Sequence, residues 1–317
     1  MTETLRALSL DLGPLAAGEQ VSGKVREAWP LTQGRRLLVT TDRLSAFDRI
    51  MGHVPHKGQV LNQLAAWWFA HTADIVPNHV VSVPDPNCLI ARDVTTLPVE
   101  VVVRGRLTGS TSTSVLPRYL AGERTLYGYE LPDGLTAHGP LPEPLITPTT
   151  KGAAGEHDVP ITVDEVVTEG LLDAELWAEV QRVALALFAR GVEVAERAGF
   201  VLADTKYEFG VDDDGQLLII DEMHTPDSSR YWDASTLDER LAAGEVPDGY
   251  DKEPVRLALR AAGYSGDGPP PDLDPSIWEQ TSARYVELYE RITGETFVAG
   301  ATPIVDRIRH HLSEIAP

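Results

Sequence analysis

The stretch Ala203-Asp204-Thr205-Lys206-Tyr207-Glu208-Phe209-Gly210, followed closely by Leu218-Ile219-Ile220-Asp221-Glu222, decides more of the fold than any other. In an extended chain alternate side chains share a face, so Asp204, Lys206 and Glu208 stand together on one side. Residues 212–215 read Asp-Asp-Asp-Gly, a turn sequence, which predicts strands near 200–203 and 217–221 paired as a hairpin. Such a hairpin brings Glu208 close to Asp221. The run Leu217–Ile220 is apolar enough to be buried, and buried carboxylates need a partner. Two carboxylates suit Mg²⁺, which keeps waters and substrate phosphates in its other positions, and Lys206 would reach the same phosphates. The competing reading is a solvated ladder of ion pairs.

Outward from this hairpin, residues 36–41 and 99–104 are rich in β-branched residues and predict strands. Between them Gln59–His71 predicts a helix, with Leu61, Leu64 and Trp68 on one face as core. Residues 105–160 are crowded with Gly, Pro, Ser and Thr. Pro140, Pro142, Pro144 and Pro148 exclude a regular helix there, so this stretch reads as functional loop. A long helix is expected from Asp173 to Arg197, weakened at Gly191. From about 246 the tail reads as helical, with a Ser276/Glu279 capping box and a stop at Gly294, and with no obvious chemistry.

The chain has 317 residues, enough for a substantial core, and its 43% hydrophobic and 24% charged fractions are ordinary for a globular protein. No apolar run approaches the roughly 18–20 residues of a membrane span, and the N-terminus does not read as a signal peptide. Cys88 is the single cysteine, which excludes an internal disulfide or a multi-cysteine metal site and fits a reducing, cytoplasmic setting. The formal charge of −21 comes without a basic stripe, so nucleic acid is not an expected partner.

Among the 27 basic residues only five are lysine: Lys24, Lys57, Lys151, Lys206 and Lys252. In so arginine-rich a chain, lysine is expected where a compact point charge suits an anion better than a guanidinium fork. Four of the five sit beside glycine or in a dense polar cluster.

Other polar clusters extend the list. Ser22-Gly23-Lys24-Val25-Arg26 reads as an ordinary turn or as a place where backbone meets phosphate; it is not a Walker A loop. Thr41-Asp42-Arg43-Leu44-Ser45-Ala46-Phe47-Asp48 reads either as a capped turn or as site residues after a buried strand. Arg104 and Arg106, alternating on one strand face before Gly109-Ser110, predict a bidentate anion site. Residues 147–158, TPTTKGAAGEHD, read as a ligand-covering loop carrying Lys151. Thr225–Trp232 follows the acidic strand end directly and looks like a substrate-reading loop.

Six segments in this order, namely SGKVRE, TTDRLSAFD with PHKGQVLNQLAAWWF, VEVVVRGRLTGS, LPEPLITPTTKGAAGEHD, ADTKYEFG and IIDEMHTPDSSRYW, resemble the phosphoribosylaminoimidazole-succinocarboxamide synthases, or SAICAR synthetases. They run from about residue 22 to 233. The resemblance implies an α+β fold: a small β-rich lobe (1–100) over a larger α/β lobe (101–245) with a kinase- or ATP-grasp-like nucleotide cleft, then a helical C-terminal region (246–317). It implies a ligase of purine biosynthesis joining carboxyaminoimidazole ribonucleotide (CAIR) to L-aspartate, with ATP going to ADP and phosphate and with Mg²⁺ as cofactor, working as a monomer or small homo-oligomer.

Carried over, Gly23, Lys24, Val25 and Arg26 form the phosphate loop. Glu208 and Asp221 are the metal ligands and, with Lys206, the catalytic set. Lys151 lies near phosphates or aspartate, and adenine near residues 91–97. Arg104, Ser110, Asp227, Ser229, Arg230 and Asp48 hold substrate. An acyl phosphate is expected, with Asp48 and Asp204 as candidate bases for the aspartate amine. Glu27, Trp29, Gly152-Ala153-Ala154 and His224 depart from the usual pattern. A small-molecule kinase and a non-catalytic nucleotide-binding protein are the alternatives.

Overall fold

The structure is a computed structural model, and it describes residues 2–47, 49–110, 114–151 and 159–315. The first part of the chain lays down strands β1 (Val21–Ser22), β2 (Arg26–Leu31) and β3 (Arg35–Thr40), the hairpin β4 (Arg43–Ala46)–β5 (Arg49–His53), helix α1 (Lys57–His71), then β6 (Val80–Asp85) and β7 (Cys88–Arg92). Five of these strands form an antiparallel sheet in the order β1-β2-β3-β7-β6.

Helix α1 starts at Lys57 rather than Gln59, because Gly58 tucks directly under β3. A Cβ on Gly58 would come within 2.3 Å of the Thr40 carbonyl oxygen. Asp42 fixes this junction: its carboxylate accepts from the Gly58 N–H at 2.8 Å and the Leu5 N–H at 2.6 Å. Asp42 is therefore a structural residue, but not the cap of a local turn: both N–H groups it binds are distant in sequence.

A second antiparallel sheet follows. Its members are β8 (Thr95–Arg106), β11 (Pro140–Thr150), β12 (Phe200–Val211), β13 (Leu217–Ile220) and β14 (Ser229–Asp233), after the intervening α2 (Val115–Leu120), β9 (Thr125–Leu126), β10 (Tyr129–Glu130), α3 (Glu165–Thr168) and α4 (Ala174–Arg197). The order is β11-β8-β12-β13, with β14 pairing the other part of β12. The predicted hairpin is present, Glu208 opposite Ile220 and Val211 opposite Leu217.

The expectation of loop throughout 105–160 is corrected by β11. Its prolines are accommodated because β11 is an edge strand and its register slips between Pro140 and Leu145. Residue 100, the expected lobe boundary, falls inside β8.

Strand β12 divides two environments. Tyr207 and Phe209 join the main core with Trp68, Val101, Leu187 and Phe188, whereas the charged Asp204, Lys206 and Glu208 lie between them in sequence. Helix α4 covers this core, and its Asp173 cap accepts from the Leu176 N–H at 2.8 Å. Gly191 is not a weak point in α4. A Cβ there would meet His224 Cε1 at 2.4 Å and Leu202 Cδ2 at 2.8 Å, so only glycine lets the helix approach. His224 is fully buried, its Nε2 2.5 Å from the Tyr207 hydroxyl.

Helices α5 (Ala234–Ala242), α6 (Glu253–Ala261), α7 (Pro275–Thr293) and α8 (Ile304–Ser313) complete the chain. The expected Ser276/Glu279 capping box is replaced by Asp274, which accepts from the Ser276 N–H at 2.9 Å; Asp ahead of a proline at the first helical position is the stronger cap. Gly294 closes α7 in the left-handed conformation, as expected. Helix α8 buries Ile304, Ile308 and Leu312 against Trp29, Leu37 and Val39 of the first sheet. Arg307 and His311 both reach Asp85, each at 2.8 Å.

Two outcomes test this packing. Gly191→Ala should destabilise the protein by about 1–3 kcal/mol through overpacking, where the same change on an exposed helix gains ~1 kcal/mol. A rise in the thermal midpoint would refute the close approach. Burial holds the His224 ring neutral, its pKa pushed down to about 3, whereas the unfolded chain takes up that proton near pH 6.5. The folded value lies below the unfolded one, so stability falls as pH drops through 6.5. This ring should cost about 1 kcal/mol between pH 6.5 and 5.5. Urea unfolding should show that His224→Gln flattens the loss in this window.

Candidate functional site

Three cavities follow one another along the charged side of β12 and β8. The first, about 130 Å³, lies at the junction of the two sheets and is lined by Arg36, Leu38, His79, Arg92, Val94, Thr96, Lys151, Glu208, Ile220 and Asp221. The second, about 350 Å³, is lined by Arg104, Asp204, Lys206, Asp227, Ser229, Arg230, Asp251, Lys252 and Arg256, among others. The third, about 370 Å³, takes in Thr108, Gly109, Ser110, His138, Trp232 and Arg260 and shares Arg230 with the second.

At the first cavity the carboxylates are densely matched. Lys206 Nζ donates to Glu208 at 2.6 Å and to Glu100 at 2.9 Å, and Lys151 Nζ contacts the other Glu208 oxygen. Burial by itself would raise the Glu208 carboxyl, but Lys206 and Lys151 outweigh it and hold the group well below the usual carboxylate range. Burial likewise opposes the Lys206 charge and is outweighed by Glu208 and Glu100. Asp221 shows the opposite balance: burial raises it, and Arg26 only partly offsets this against Glu208 and Glu222. Its backbone sits at φ 64, a left-handed conformation that a non-glycine residue adopts at a cost of about 1–3 kcal/mol. That geometry turns the chain sharply at the end of β13.

The loop of residues 23–26 is shaped from beneath by a residue sequence reading did not assign. Arg43 donates to the Gly23 carbonyl at 2.9 Å and the Lys24 carbonyl at 3.2 Å, and pairs with buried Glu27 at 2.5 Å. The Gly23 N–H closes on the Arg26 carbonyl at 2.8 Å. Val25 is half-buried against the core and Lys24 is exposed. Arg26 does not point away as a phosphate donor: its guanidinium contacts Asp221 and lies 3.1 Å from Glu222.

His79 closes the first cavity from the side of the first sheet. It is buried, its Nε2 has no hydrogen-bond partner among the described residues, and burial keeps it neutral with a pKa of about 3.

At the second cavity Asp204 is the hinge of the charge pattern. It accepts from Arg104 at 2.9 Å and from Arg230 at 2.5 Å, while Arg104 also donates to the Thr147 hydroxyl at 2.9 Å. The expected pairing of Arg104 with Arg106 on one face is therefore corrected. Arg104 turns to Asp204, and the acidic neighbours of Arg106 are Asp238 and Glu196.

Asp227 is likewise enclosed, 2.9 Å from Lys57 Nζ and 3.1 Å from Lys252 Nζ, with the Tyr285 hydroxyl at 3.4 Å. Burial would raise Asp227, yet the two lysines hold it below the ordinary range. Ser229 donates to the Thr205 hydroxyl at 2.8 Å. The Ser110 hydroxyl is buried without a hydrogen-bond partner among the described residues, at the wall of the third cavity.

The tail, expected to be chemically silent, supplies Asp251, Lys252 and Arg256 to the second cavity. Lys252 is the one lysine of the five that has neither a glycine neighbour nor a dense polar cluster in the sequence to mark it. Asp48 lies outside the described residues, as does the part of the expected covering loop beyond Lys151.

Five of the six resembling segments thus meet around β12: its own, the β8 segment paired with it, the Gly23 loop, Lys151 and the Asp227–Arg230 loop. Comparison with known proteins agrees with this arrangement. The SAICAR synthetase family model matches residues 19–270. A putative phosphoribosylaminoimidazole-succinocarboxamide synthase 2 of Agrobacterium fabrum is 49% identical over 298 residues, covering 93% of this chain and 94% of its own length. The phosphoribosylaminoimidazole-succinocarboxamide synthase of Legionella pneumophila is 47% identical, covering 94% of this chain and 96% of its own length. The SAICAR synthase of Saccharomyces cerevisiae, solved with SAICAR, superposes with a TM-score of 0.76 at 29% identity, covering 92% of this chain and 99% of its own. With the fold, the order of motifs and these relatives in accord, this chain belongs to the SAICAR synthetase family.

Proposed function

We propose that this protein joins the carboxylate of CAIR to the amino group of L-aspartate at the expense of ATP, yielding SAICAR, ADP and phosphate in the cytoplasm. The observation that carries this reading is the continuous run from Glu208 through Lys206 to Asp204. One strand face links a cavity lined by cations and carboxylates, suited to nucleotide phosphates, with a second cavity whose arginines suit a ribonucleotide phosphate.

Adenine would occupy the first cavity between Leu38, Val94 and Ile220, where the His79 Nε2, without a partner among the described residues, is available to the base. The Gly23–Arg26 loop, Lys151 and Lys206 would hold the phosphates. Glu208 and Asp221 supply hard oxygen donors at the same place, and Mg²⁺ is content with two carboxylates when phosphates and water complete its shell. That Lys151, Lys206 and Arg26 now contact these carboxylates fits a position built for positive charge. When bound, Mg²⁺ neutralises charge on the transferred phosphoryl group.

Arg104, Arg230, Ser110 and Ser229 would orient the ribonucleotide, and Asp227, fixed by Lys57 and Lys252, would contact it. A carboxylate does not expel oxide on its own. Its oxygen therefore attacks the γ-phosphorus, ADP leaves, and an acyl phosphate forms. The amine then displaces phosphate. The chain's own contribution is to place the two reactants and to surround developing charge with fixed cations.

ADP release should require CAIR and L-aspartate together with Mg-ATP, with succinocarboxamide detected by mass. Release indifferent to aspartate would replace this reading with a kinase. Asp221→Asn should lower turnover at limiting Mg²⁺ by at least ~10-fold, since even outer-shell changes cost that much, and should move the Mg²⁺ dependence to higher concentration. Normal turnover with an unshifted dependence would remove Asp221 from its role.

A further inference from the structure

The amino group of an amino acid is protonated near neutral pH and has no lone pair to attack with, so the ligation needs a base. Most carboxylates at the cavities are already committed. Asp204 is held by two arginines, Asp227 by two lysines and a tyrosine, and Glu208 by two lysines. Asp204, one of the candidate bases read from the sequence, is thereby unsuited: a proton added there would break two ion pairs.

Asp251 differs from all of these. It is 3% exposed and lines the second cavity from the segment just ahead of α6. One carboxylate oxygen, Oδ1, accepts from the Glu253 N–H at 2.5 Å. The other, Oδ2, has no hydrogen-bond partner among the described residues. A buried acceptor left unsatisfied costs about 1–3 kcal/mol, and such groups are rare in folded proteins.

The charged and titratable groups around it are Arg230 on β14, Glu253 and Arg256 on α6, and Tyr285 on α7. Arg230 is bound to Asp204 and Arg256 to Glu253, so neither quenches the free oxygen by direct pairing. Lys252 and Arg256 line the same cavity, so an incoming aspartate meets positive charge beside the base even though each is also paired with a carboxylate of the chain.

We infer that Asp251 is the general base of the amide-forming step, its Oδ2 taking the proton that the substrate amine sheds. The inference rests on the ligase reading above. Asp251 first takes one proton from the substrate ammonium and frees its lone pair. As the nitrogen bonds to the acyl carbon the C–O bond to phosphate breaks, and inorganic phosphate leaves with that electron pair and carries off the second N–H proton. Solvent then recovers the proton. Burial pushes the Asp251 carboxyl up to about 6, against the pull of Arg230 and the Glu253 N–H. The group is therefore ionised at neutral pH yet more basic than an ordinary carboxylate, as general-base catalysis requires.

The test compares L-aspartate with hydroxylamine, which is largely unprotonated at neutral pH and attacks acyl phosphates without a base. In Asp251→Asn, whose amide oxygen can still accept from the Glu253 N–H, aspartate-dependent ADP release should fall about 100-fold or more, the usual range for a lost general base. Hydroxylamine-dependent ADP release with CAIR should persist. In the unaltered protein the aspartate reaction should lose rate below about pH 6, and the hydroxylamine reaction should not share that limb, a comparison that needs no variant. Undiminished aspartate turnover in Asp251→Asn, an equal loss with both amines, or the same acid limb with both, would each overturn the assignment. If the unaltered protein releases ADP with aspartate but never with hydroxylamine, the acyl phosphate fails instead, and the aspartate rate of the variant alone decides on Asp251.

Discussion

Charge matching on β12 is the constraint to which the rest of the molecule answers. Asp204, Lys206 and Glu208 project from a strand in the middle of a sheet, where an unmatched charge is costly. Each is met from a different direction: Arg104 and Glu100 from β8, Arg230 from β14, Lys151 from the end of β11. Pairing three strands in antiparallel register is what puts these partners opposite one another, Asp204 facing both Arg104 and Arg230 and Glu208 facing Glu100. The fold of the second sheet and the electrostatics of the site are thus one arrangement.

The same economy extends to the lysines. Lys57, Lys151, Lys206 and Lys252 all stand against carboxylates that line the cavities, and Lys57 is completely buried against Asp227. In a chain that uses arginine almost everywhere else, the compact point charge of lysine is kept at these carboxylates. Burial pushes the Lys57 ammonium down, with Asp227 opposing, so its charge depends on its partner.

Much of this was legible in the sequence because it is local. Strand alternation placed Asp204, Lys206 and Glu208 together, the acidic turn gave the hairpin, and helical spacing gave α1 and α4. What escaped depends on distant contacts. Nothing in the run of prolines from 140 to 148 signals an edge strand, since that tolerance comes from having no neighbour on one side. Gly191 reads as a flaw until His224 is seen against it. Arg43 looks like part of a turn until its guanidinium is traced to the Gly23 loop. Asp251 and Lys252 sit in a stretch with no motif of its own, and only the tertiary fold carries α6 to the second cavity.

The separation of β8 and β12 along the chain has a consequence for synthesis. β8 ends at Arg106 and β12 begins at Phe200. At typical translation rates β8 waits roughly 5–20 s on the ribosome for its central partner. β11 can cover one side in that interval, but the other side is an open edge of strongly β-forming residues, Val99, Val101, Val102 and Val103, the kind of template on which nascent chains aggregate. Glu100, Arg104 and Arg106 interrupt that run with both signs of charge. Residues that later answer β12 therefore also serve, while the chain is unfinished, as gatekeepers of its most adhesive segment.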